Sequence, residues 1–345
     1  MNKVVLYRKY RPKSFDEVLG QDHIVSILKN AVKLGRVSHA YLFAGPRGTG
    51  KTSVARILAK EIGCSNVDLI EIDAASSRGI DEIRALKEAV RYVPLQGKVK
   101  VYIIDEVHML TKEAFNALLK TLEEPPEHAI FILATTEIEK VPDTIISRCQ
   151  NFSFKKIPES LLRKSISSIV KKEGFEIDDE AAGLVALFSD GSFRDSQSIL
   201  DQILSLGSKK IDSDKIREFL SAPSRELTEE FIISLIEKRL DNGMEIIRKI
   251  TEQNLDIKNF LKMVLRDIRS MILLKAAPDM KKRLEEMMGE REFKFIEKYK
   301  DVLKQGELGR ILSILLEAYD TKERSYLPQL PLELALLKIC LSNHD

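Results

Sequence analysis

The sequence predicts an α/β fold, in which a parallel five-stranded sheet is covered by helices and is followed by segments that are entirely helical. Three observations predict it. A glycine-rich loop at residues 45–52 lies between an apolar strand and a helix with an apolar stripe. Apolar strands then alternate with helical patterns as far as residue 154, which is typical of a parallel sheet with both faces covered. From residue 157 onward the patterns are those of helices.

The glycine-rich loop reads Gly45-Pro46-Arg47-Gly48-Thr49-Gly50-Lys51-Thr52 and matches the phosphate-binding pattern of a glycine, four residues, then Gly-Lys-Ser/Thr. A strand before the loop and a helix after it are the context that this motif requires. Backbone N–H groups and the helix N-terminus would bind phosphate oxygens. Lys51 would reach the β- and γ-phosphates of a nucleotide, and Thr52 would hold Mg²⁺. The alternative is a glycine turn that only joins a strand to a helix.

The other elements follow from apolar patterning and from helix start and stop signals. Strands are predicted at 40–44, 69–72, 99–104, 129–134 and 151–154. Helices are predicted from an N-cap at Asp22 to Gly35, at 80–93, and from a cap at Thr111 to Glu123. Further helices are predicted at 159–172, 179–188, 192–206, 227–238, 244–253, 257–275, 280–288, 293–304, 308–319 and 330–341.

Two carboxylates, Asp105 and Glu106, follow the third strand, at the edge where open α/β sheets bind ligands. Asp105 would hold Mg²⁺, directly or through water, and Glu106 would orient and polarise an attacking water. Carboxylates in turns are common, so the pair is informative only together with the phosphate loop. Thr135 and Thr136 end the fourth strand and should lie beside the pair. One of them could sense a γ-phosphate or fix the water, and simple strand-end turn chemistry is the alternative.

Polar residues elsewhere carry weaker signals. Arg148 follows a helical segment and could neutralise transition-state charge at a neighbouring subunit's nucleotide, although a surface arginine is the default interpretation. Ser77 and Arg78 open a helix whose N-terminus could bind a DNA phosphate, with a capped loop as the alternative. The five histidines show no metal spacing and no nucleophile partner, so we interpret them as structural or exposed.

Composition narrows the class of protein. A length of 345 residues predicts two or three domains, and the net charge of +2 gives no overall basic field of the kind that attracts nucleic acid. Three widely separated cysteines argue against a disulfide framework and suit a reducing cytoplasm. The sequence contains no apolar run of membrane-spanning length, and its start does not resemble a signal peptide.

Several phrases go beyond a general phosphate-loop protein. In order, they are Tyr10-Arg11-Pro12, Val18-Leu19-Gly20-Gln21, the phosphate loop, Ile104-Asp105-Glu106-Val107-His108-Met109-Leu110, Leu122-Glu123-Glu124-Pro125-Pro126, Leu133-Ala134-Thr135-Thr136, Ser147-Arg148-Cys149 and Gly191-Ser192-Phe193-Arg194-Asp195. Together they resemble the gamma/tau subunits of bacterial DNA polymerase III clamp loaders, which are AAA+ ATPases. The dense matches cover residues 6–205, and agreement is looser in the C-terminal third.

The resemblance assigns roles to individual residues. Thr136 corresponds to the sensor 1 residue, Arg148 to an arginine finger that acts on the next subunit's ATP, and Arg194 to sensor 2, which reaches the γ-phosphate of its own subunit. The roles of the phosphate loop, Asp105 and Glu106 stay as derived above. The adenine pocket would be lined by Tyr10, Arg11, Pro12 and the region of Val18.

The resemblance also implies an architecture and a function. The expected domains are an AAA+ core at 1–156, a small helical lid at 157–210 and an all-α collar at 211–345. We expect an ATP-hydrolysing, Mg²⁺-dependent motor without a polymerase site, which opens a sliding clamp and loads it on primed DNA. Its partners would be other gamma/tau copies, the delta and delta-prime subunits, the clamp and primed double-stranded DNA. The expected location is the cytoplasm, in association with the nucleoid and not with a membrane.

Two departures and three alternatives accompany the resemblance. The family's four-cysteine zinc module is missing between the phosphate-loop helix and the next strand, where Cys64 stands alone, so we expect no zinc. The additional domains of the tau form are also absent before Asp345, which is expected of a short form or of a piece of a longer chain. The alternatives are a delta-prime subunit, which commonly has a decayed phosphate loop, another AAA+ motor such as a branch-migration helicase or protein remodeller, and a scaffold with a structural nucleotide.

Overall fold

The chain forms two compact units in a computed structural model that describes residues 4–77, 79–321 and 326–341. The N-terminal unit comprises the described parts of Met1–Leu162 together with Ser189–Asp201. The C-terminal unit comprises Arg163–Phe188 and the described parts of Gln202–Asp345. Each unit has its own hydrophobic core.

A five-stranded sheet organises the N-terminal unit, and all its neighbouring strands pair in parallel, as predicted. The strands are β1 (Ala40–Ala44), β2 (Leu69–Asp73), β3 (Lys100–Asp105), β4 (Ala129–Thr135) and β5 (Gln150–Ser153), in the spatial order β2-β3-β4-β1-β5. Each lies within one residue of its predicted bounds. Because the strands are parallel, the carboxyl ends of β3, β4 and β1 meet side by side at one edge.

Alternation along the strands sends side chains to both faces of the sheet, and each face is covered. On one face Tyr41, Phe43 and Phe152 form an aromatic cluster, in which the Phe43 and Phe152 rings meet edge to face at 5.8 Å. On the other face Tyr102 stacks on Phe131 at 5.3 Å. Complete burial of each such side chain stabilises the fold by about 1.5–3 kcal/mol. The continuous apolar character of β1 and β4 therefore reflects burial on both faces.

The helices alternate with the strands of the five-stranded sheet, and the chain after β5 is mostly helical. The first group is α1 (Leu6–Lys9), α2 (Asp22–Lys33), α3 (Lys51–Glu61), α4 (Ile80–Val90), α5 (Lys112–Glu123) and α6 (Asp143–Ile146). Next come α7 (Glu159–Lys172), α8 (Asp179–Phe188) and α9 (Phe193–Ser205). The Thr111 hydroxyl accepts a hydrogen bond from Ala114 N and caps α5, as predicted. The prediction for Asp22 was wrong, because Asp22 is the first helical residue and Gln21 occupies the cap position.

The described residues of the C-terminal unit are helical apart from one pair of two-residue strands, turns and short links. Its further helices are α10 (Ser213–Phe219), α11 (Arg225–Ile236), α12 (Leu240–Glu252), α13 (Ile257–Ala276), α14 (Lys281–Met287), α15 (Glu290–Tyr299), α16 (Gln305–Thr321) and α17 (Leu330–Leu341). The strand pair is β6 (Glu176–Ile177) with β7 (Lys210–Ile211). Sequence patterns did not predict α10 or this strand pair. The core between α11 and α13 is centred on Phe231 and Phe260, whose rings lie 5.0 Å apart.

A buried ionic cluster joins three helices of the C-terminal unit. Arg225 on α11 pairs with buried Asp267 on α13 and donates to Glu229 Oε1 at 2.8 Å. Arg266 donates to Glu292 Oε1 on α15 at 2.6 Å. Burial opposes ionisation of Glu292, but the Arg266 and Arg225 guanidinium groups outweigh it and lower the pKa of Glu292. Because a buried charge without its partner is costly, the cluster restricts how α11, α13 and α15 can pack.

The link between α3 and β2 is short, and the Asp68 carboxylate stabilises it through hydrogen bonds. Asp68 accepts hydrogen bonds from the Ser65 hydroxyl at 2.6 Å and from the N–H groups of Leu95, Gln96 and Gly97 at 2.6, 3.0 and 2.6 Å. The Ser65 hydroxyl and these backbone donors hold the pKa of Asp68 well below its usual range. The carboxylate therefore ties the loop before β3 to the start of β2.

Replacing Asp68 with Asn should lower the thermal midpoint of the N-terminal unit at pH 7, because an amide cannot accept all of these hydrogen bonds. A folded-state pKa below the unfolded value gives stability that is present above about pH 4, the ordinary carboxyl value, and is lost as pH falls. The difference in thermal midpoint between the variant and the wild type should therefore decrease as the pH falls. Thermal melts followed by circular dichroism between pH 7 and pH 3 measure this, with the exposed Glu127→Gln as the matched control. A difference in thermal midpoint that does not change with pH would contradict the role of the Asp68 carboxylate.

Candidate functional site

The edge formed by the carboxyl ends of β3, β4 and β1 brings the predicted polar residues together. The phosphate loop leaves β1, the acidic pair Asp105 and Glu106 leaves β3, and Thr135 and Thr136 end β4. Ala44 of β1 is in register with Thr135, which places the start of the phosphate loop beside the end of β4. Groups that lie far apart in the sequence thus share one edge of the sheet.

The phosphate loop is packed so closely that two of its glycines have no room for a side chain. A Cβ on Gly45 would lie 2.3 Å from Phe154 O, and one on Gly48 would lie 1.9 Å from Ser192 Oγ. Both glycines also have positive φ, +143° and +73°. Thr49 Oγ1 donates to Pro46 O at 2.8 Å and closes the loop on itself. The loop therefore has a fixed shape, and it leads directly into the N-terminus of α3.

Lys51 folds back over the loop. Its Nζ donates to Gly45 O at 2.6 Å and to Pro46 O at 2.9 Å, and the residue is only 5% exposed. Burial lowers the pKa of the Lys51 ammonium, and the negative charges of Glu106 and Asp105 oppose this shift. The ammonium thus bonds to the loop carbonyls and interacts electrostatically with the acidic pair, next to the loop that would bind a polyphosphate.

Thr52 and Asp105 form the pair expected of a Mg²⁺ site. Thr52 Oγ1 donates to Asp105 Oδ2 at 2.7 Å, although the two residues come from different elements, α3 and β3. Asp105 Oδ1 accepts from Glu106 N at 3.0 Å, which fixes the carboxylate plane. A hydroxyl and a carboxylate oxygen at this separation are oxygen donors of the kind that Mg²⁺ prefers, with nucleotide phosphates completing its shell.

Glu106 has an unusual backbone conformation directly after β3. Its φ of +48° and ψ of +44° lie in the left-handed region, which is rare for a residue with a side chain and often marks functional sites. Thr136 Oγ1 donates to Glu106 Oε2 at 3.0 Å, and His108 Nδ1 lies 3.5 Å from the same oxygen. The structure thus places Thr136, and not Thr135, on the carboxylate.

Arg194 lies at the start of α9, next to the phosphate loop. Phe193 N donates to Gly48 O at 3.0 Å, and the Arg194 Cβ would be 3.3 Å from a Cβ on Gly48. The exposed guanidinium stands over the Tyr7 ring, 5.3 Å from its centroid. The start of α9 therefore contacts the phosphate loop, although Arg194 and Gly48 are 146 positions apart in the sequence.

Arg148 has different neighbours. Its Nη2 donates to Glu123 Oε1 at 2.6 Å, and its Nη1 donates to Thr144 O at 2.7 Å. None of the Arg148 contacts found among the described residues is to the phosphate loop or the acidic pair. The ion pair instead joins the Leu-Glu-Glu-Pro-Pro phrase at the end of α5 to the Ser-Arg-Cys phrase after α6.

The remaining predicted residues lie in two places. Tyr10 ends α1 and is followed by Arg11 and Pro12, while Val18 is buried in the core that covers β1. The start of α1 is tied to α9 by a hydrogen bond from Leu6 N to Asp201 Oδ2 at 2.7 Å. Ser77 lies in the turn before α4, where its N–H donates to Asp73 O at 2.9 Å. The prediction for Arg78 falls outside the described residues.

Four residues of the site were not predicted from the sequence. Buried Gln21 donates from Nε2 to Lys155 O at 2.8 Å and to Thr49 O at 3.4 Å, and so supports the phosphate loop. Tyr7 supports Arg194, Glu123 holds Arg148, and His108 approaches Glu106. Gln21, Tyr7 and Glu123 make contacts between distant parts of the chain, which sequence spacing does not predict. His108 is only two residues from Glu106, but its contact depends on the backbone conformation of that residue.

Metal-ligand clusters and membrane-spanning helices are both absent from the described part of the chain. Within residues 4–77, 79–321 and 326–341, no group of three or more His, Cys, Asp or Glu side chains is arranged to hold a metal ion. Over the same ranges, no helix has both the length and the apolar character needed to cross a membrane.

The sheet order, the phosphate loop and the acidic pair define the class: the N-terminal unit is a P-loop core of the AAA+ type. Its fold is similar to that of the Thermotoga maritima RuvB Holliday junction branch migration motor, with a TM-score of 0.52 and 24% identity over 66% of this chain and 80% of that one. A likeness at that identity shows the fold alone.

Comparisons with family models and with relatives define the family. The model "DNA polymerase III, delta subunit" matches 20–75 and 65–158, "DNA polymerase III clamp loader subunit, ATPase lid domain" matches 162–209, and "DNA polymerase III subunits gamma and tau domain III" matches 211–344. DNA polymerase III subunit gamma of Buchnera aphidicola (subsp. Baizongia pistaciae) is 38% identical over 302 residues, which cover 81% of this chain and 82% of the relative. The chain belongs to the DNA polymerase III gamma/tau family.

The relatives differ in how much of their length the chain spans. DNA polymerase III subunit tau of Bacillus subtilis is 38% identical over 366 residues, and the match covers all of this chain but 64% of the relative. The rest of that relative lies outside the match.

Proposed function

We propose that this chain is the ATP-hydrolysing motor subunit of a clamp loader, which opens a sliding clamp and loads it on primed DNA as part of a DNA polymerase III holoenzyme. The observation that carries the proposal is the arrangement at the sheet edge. Thr52 Oγ1 and Asp105 Oδ2 lie 2.7 Å apart, and the neighbouring Glu106 carboxylate accepts a hydrogen bond from Thr136. Membership of the gamma/tau family supports the choice of clamp loading among the activities of AAA+ proteins.

The chemistry assigned to the site is hydrolysis of ATP to ADP and phosphate. The loop residues Gly45 to Thr52 would cradle the phosphates, and Lys51 would exchange its loop carbonyls for β- and γ-phosphate oxygens. Thr52 and Asp105 would hold Mg²⁺, which supplies charge stabilisation to the phosphate oxygens when bound. Glu106 would orient and polarise the attacking water. The chain itself would have no polymerase site.

Three further residues complete the proposed chemistry. Thr136 would act as sensor 1, and its hydrogen bond to Glu106 supports a position next to the attacking water. Arg194 would act as sensor 2, and its place against the phosphate loop supports this role. Arg148 would act as an arginine finger on a neighbouring subunit, in keeping with its contacts to Glu123 and Thr144 and not to its own loop. The adenine pocket would be formed by Tyr10, Arg11, Pro12 and Val18.

The proposed organisation follows the family. We assign an ATPase core at 1–156, a lid at 157–210 and an oligomerisation collar at 211–345, and the matches to lid and domain III models support the second and third. The partners would be other copies, delta and delta-prime subunits, the clamp and primed DNA, in the cytoplasm near the nucleoid. Ser77 would lie near DNA. We further propose that the chain needs no zinc, because Cys64 lies in the direct link from α3 to β2.

The experiment is ATP turnover by this chain assembled with delta and delta-prime subunits, with and without sliding clamp and primed DNA. Strong stimulation by clamp and DNA together is the expected result. The alternative of another AAA+ motor, such as a branch-migration helicase, predicts stimulation by branched DNA and indifference to the clamp. No turnover under any condition would favour a scaffold with a structural nucleotide.

A further inference from the structure

A closed ring of polar contacts among Thr135, His108 and Glu137 lies next to Glu106. Thr135 Oγ1 accepts from Glu137 N at 3.0 Å and lies 3.0 Å from His108 Nδ1. His108 Nε2 in turn lies 3.2 Å from Glu137 Oε1, which returns the chain of contacts to Glu137. The His108 side chain is only 5% exposed, so the ring is shielded from water on its imidazole side. The sequence alone indicates only a structural or exposed role for His108.

The Glu137 carboxylate is held from outside the ring. The Lys140 ammonium donates to Glu137 Oε2 at 2.7 Å and lowers the pKa of Glu137, so this side chain is a carboxylate that only accepts. Its Oε1 can therefore only accept from His108 Nε2, 3.2 Å away. Thr135 Oγ1 has two lone pairs and one hydrogen, so besides accepting from Glu137 N it can bond with His108 Nδ1 as donor or as acceptor.

The ring lies beside the residue that holds Glu106. Thr136 Oγ1 donates to Glu106 Oε2 at 3.0 Å, and His108 Nδ1 lies 3.5 Å from the same oxygen. The ring fixes the residues on both sides of Thr136, since Thr135 and Glu137 are its members.

We propose that His108 is a positioning residue for ATP hydrolysis, which acts through Thr135 and Glu137 to fix Thr136 and, through Thr136, the Glu106 carboxylate. This inference rests on the proposed function, since it adds residues to the machinery of Glu106. No covalent step involves His108.

The test compares variants that open the ring with one that keeps it closed, in the assembled clamp loader with clamp and primed DNA. His108→Ala and Glu137→Ala should each lower kcat by about 10- to 100-fold, the usual cost of losing a residue that orients a catalytic group, with KM for ATP unchanged. Glu137→Gln keeps an oxygen that accepts from His108 Nε2 and should retain most of the wild-type kcat. The double variant His108→Ala, Glu137→Ala should be no slower than either single variant, because both open the same ring.

The exposed His39→Ala, at the amino end of β1 and so at the opposite edge of the sheet, is the matched control and should behave as wild type. Thermal midpoint and ATP affinity measured on the same preparations separate loss of folding from loss of positioning. A kcat of His108→Ala or Glu137→Ala within twofold of wild type would overturn the inference, and so would losses that add in the double variant. If wild type itself shows no turnover, the proposed function fails first and this inference with it, whereas active wild type with active ring-opening variants removes the inference alone.

Discussion

Glu106→Gln should bind ATP as wild type does and lose nearly all turnover. The amide has the shape of the carboxylate and still offers an oxygen to the Thr136 hydroxyl, so the geometry around Thr136 should be preserved. It lacks the negative charge that polarises the attacking water. A positioned acid–base group contributes about 10²- to 10⁴-fold to rate, and we expect a loss in that range. Single-turnover hydrolysis and equilibrium binding of a fluorescent ATP analogue measure the two quantities.

The exposed Glu139→Gln, three residues beyond Thr136, provides the matched carboxylate control. It should turn over ATP at the wild-type rate. Turnover of Glu106→Gln within a few-fold of wild type would remove Glu106 from the mechanism, and a large loss of ATP affinity would show that it binds nucleotide instead.

Arg148→Ala should have little effect on ATP affinity of the isolated subunit and a large effect on the assembled loader. Arg148 contacts Glu123 and Thr144 of its own chain and none of the described residues of its own phosphate loop. An arginine supplied in trans is worth about 10³- to 10⁵-fold in rate, so turnover in the complex should fall by about 10³-fold or more. Steady-state ATPase rates of the complex and binding measurements on the monomer test both parts.

Mixing experiments sharpen the test of action in trans. Loaders built from Arg148→Ala and Glu106→Gln subunits together should retain activity only at interfaces where an intact arginine faces an intact Glu106. The exposed Arg91→Ala is the control for loss of a surface arginine. A monomer of Arg148→Ala that binds ATP much more weakly than wild type would contradict a role at the neighbouring site.

The parts of the site that could be predicted from sequence are those whose residues are adjacent in the chain. The loop from Gly45 to Thr52 is a continuous motif, and the strands beside it show their burial as unbroken apolar runs. The edge position of Asp105 followed from the rule for parallel sheets. These predictions needed no knowledge of register.

The contacts that sequence reasoning missed depend on register and on backbone conformation. Glu106, which meets Thr136, has a left-handed backbone conformation that a strand pattern does not reveal. Gln21 contacts Thr49 across 28 residues and occupies the cap position of α2, for which Asp22 is the residue type that helix-capping rules favour. The two-residue strands β6 and β7 are too short to show alternation. Distant contacts of single polar side chains leave no periodic signal.

The hydrogen bonds of Lys51 have a consequence for nucleotide binding. Its ammonium already has two carbonyl partners, Gly45 O and Pro46 O, so an arriving polyphosphate must compete with the loop for the same donor. Entry of the ligand is then an exchange of partners and not the capture of a free cation. The net affinity gained through Lys51 is therefore the free energy of its contacts with the polyphosphate minus the free energy of its hydrogen bonds to the loop carbonyls. Because the loop is held in shape by its own bonds and close packing, little ordering entropy is lost on binding.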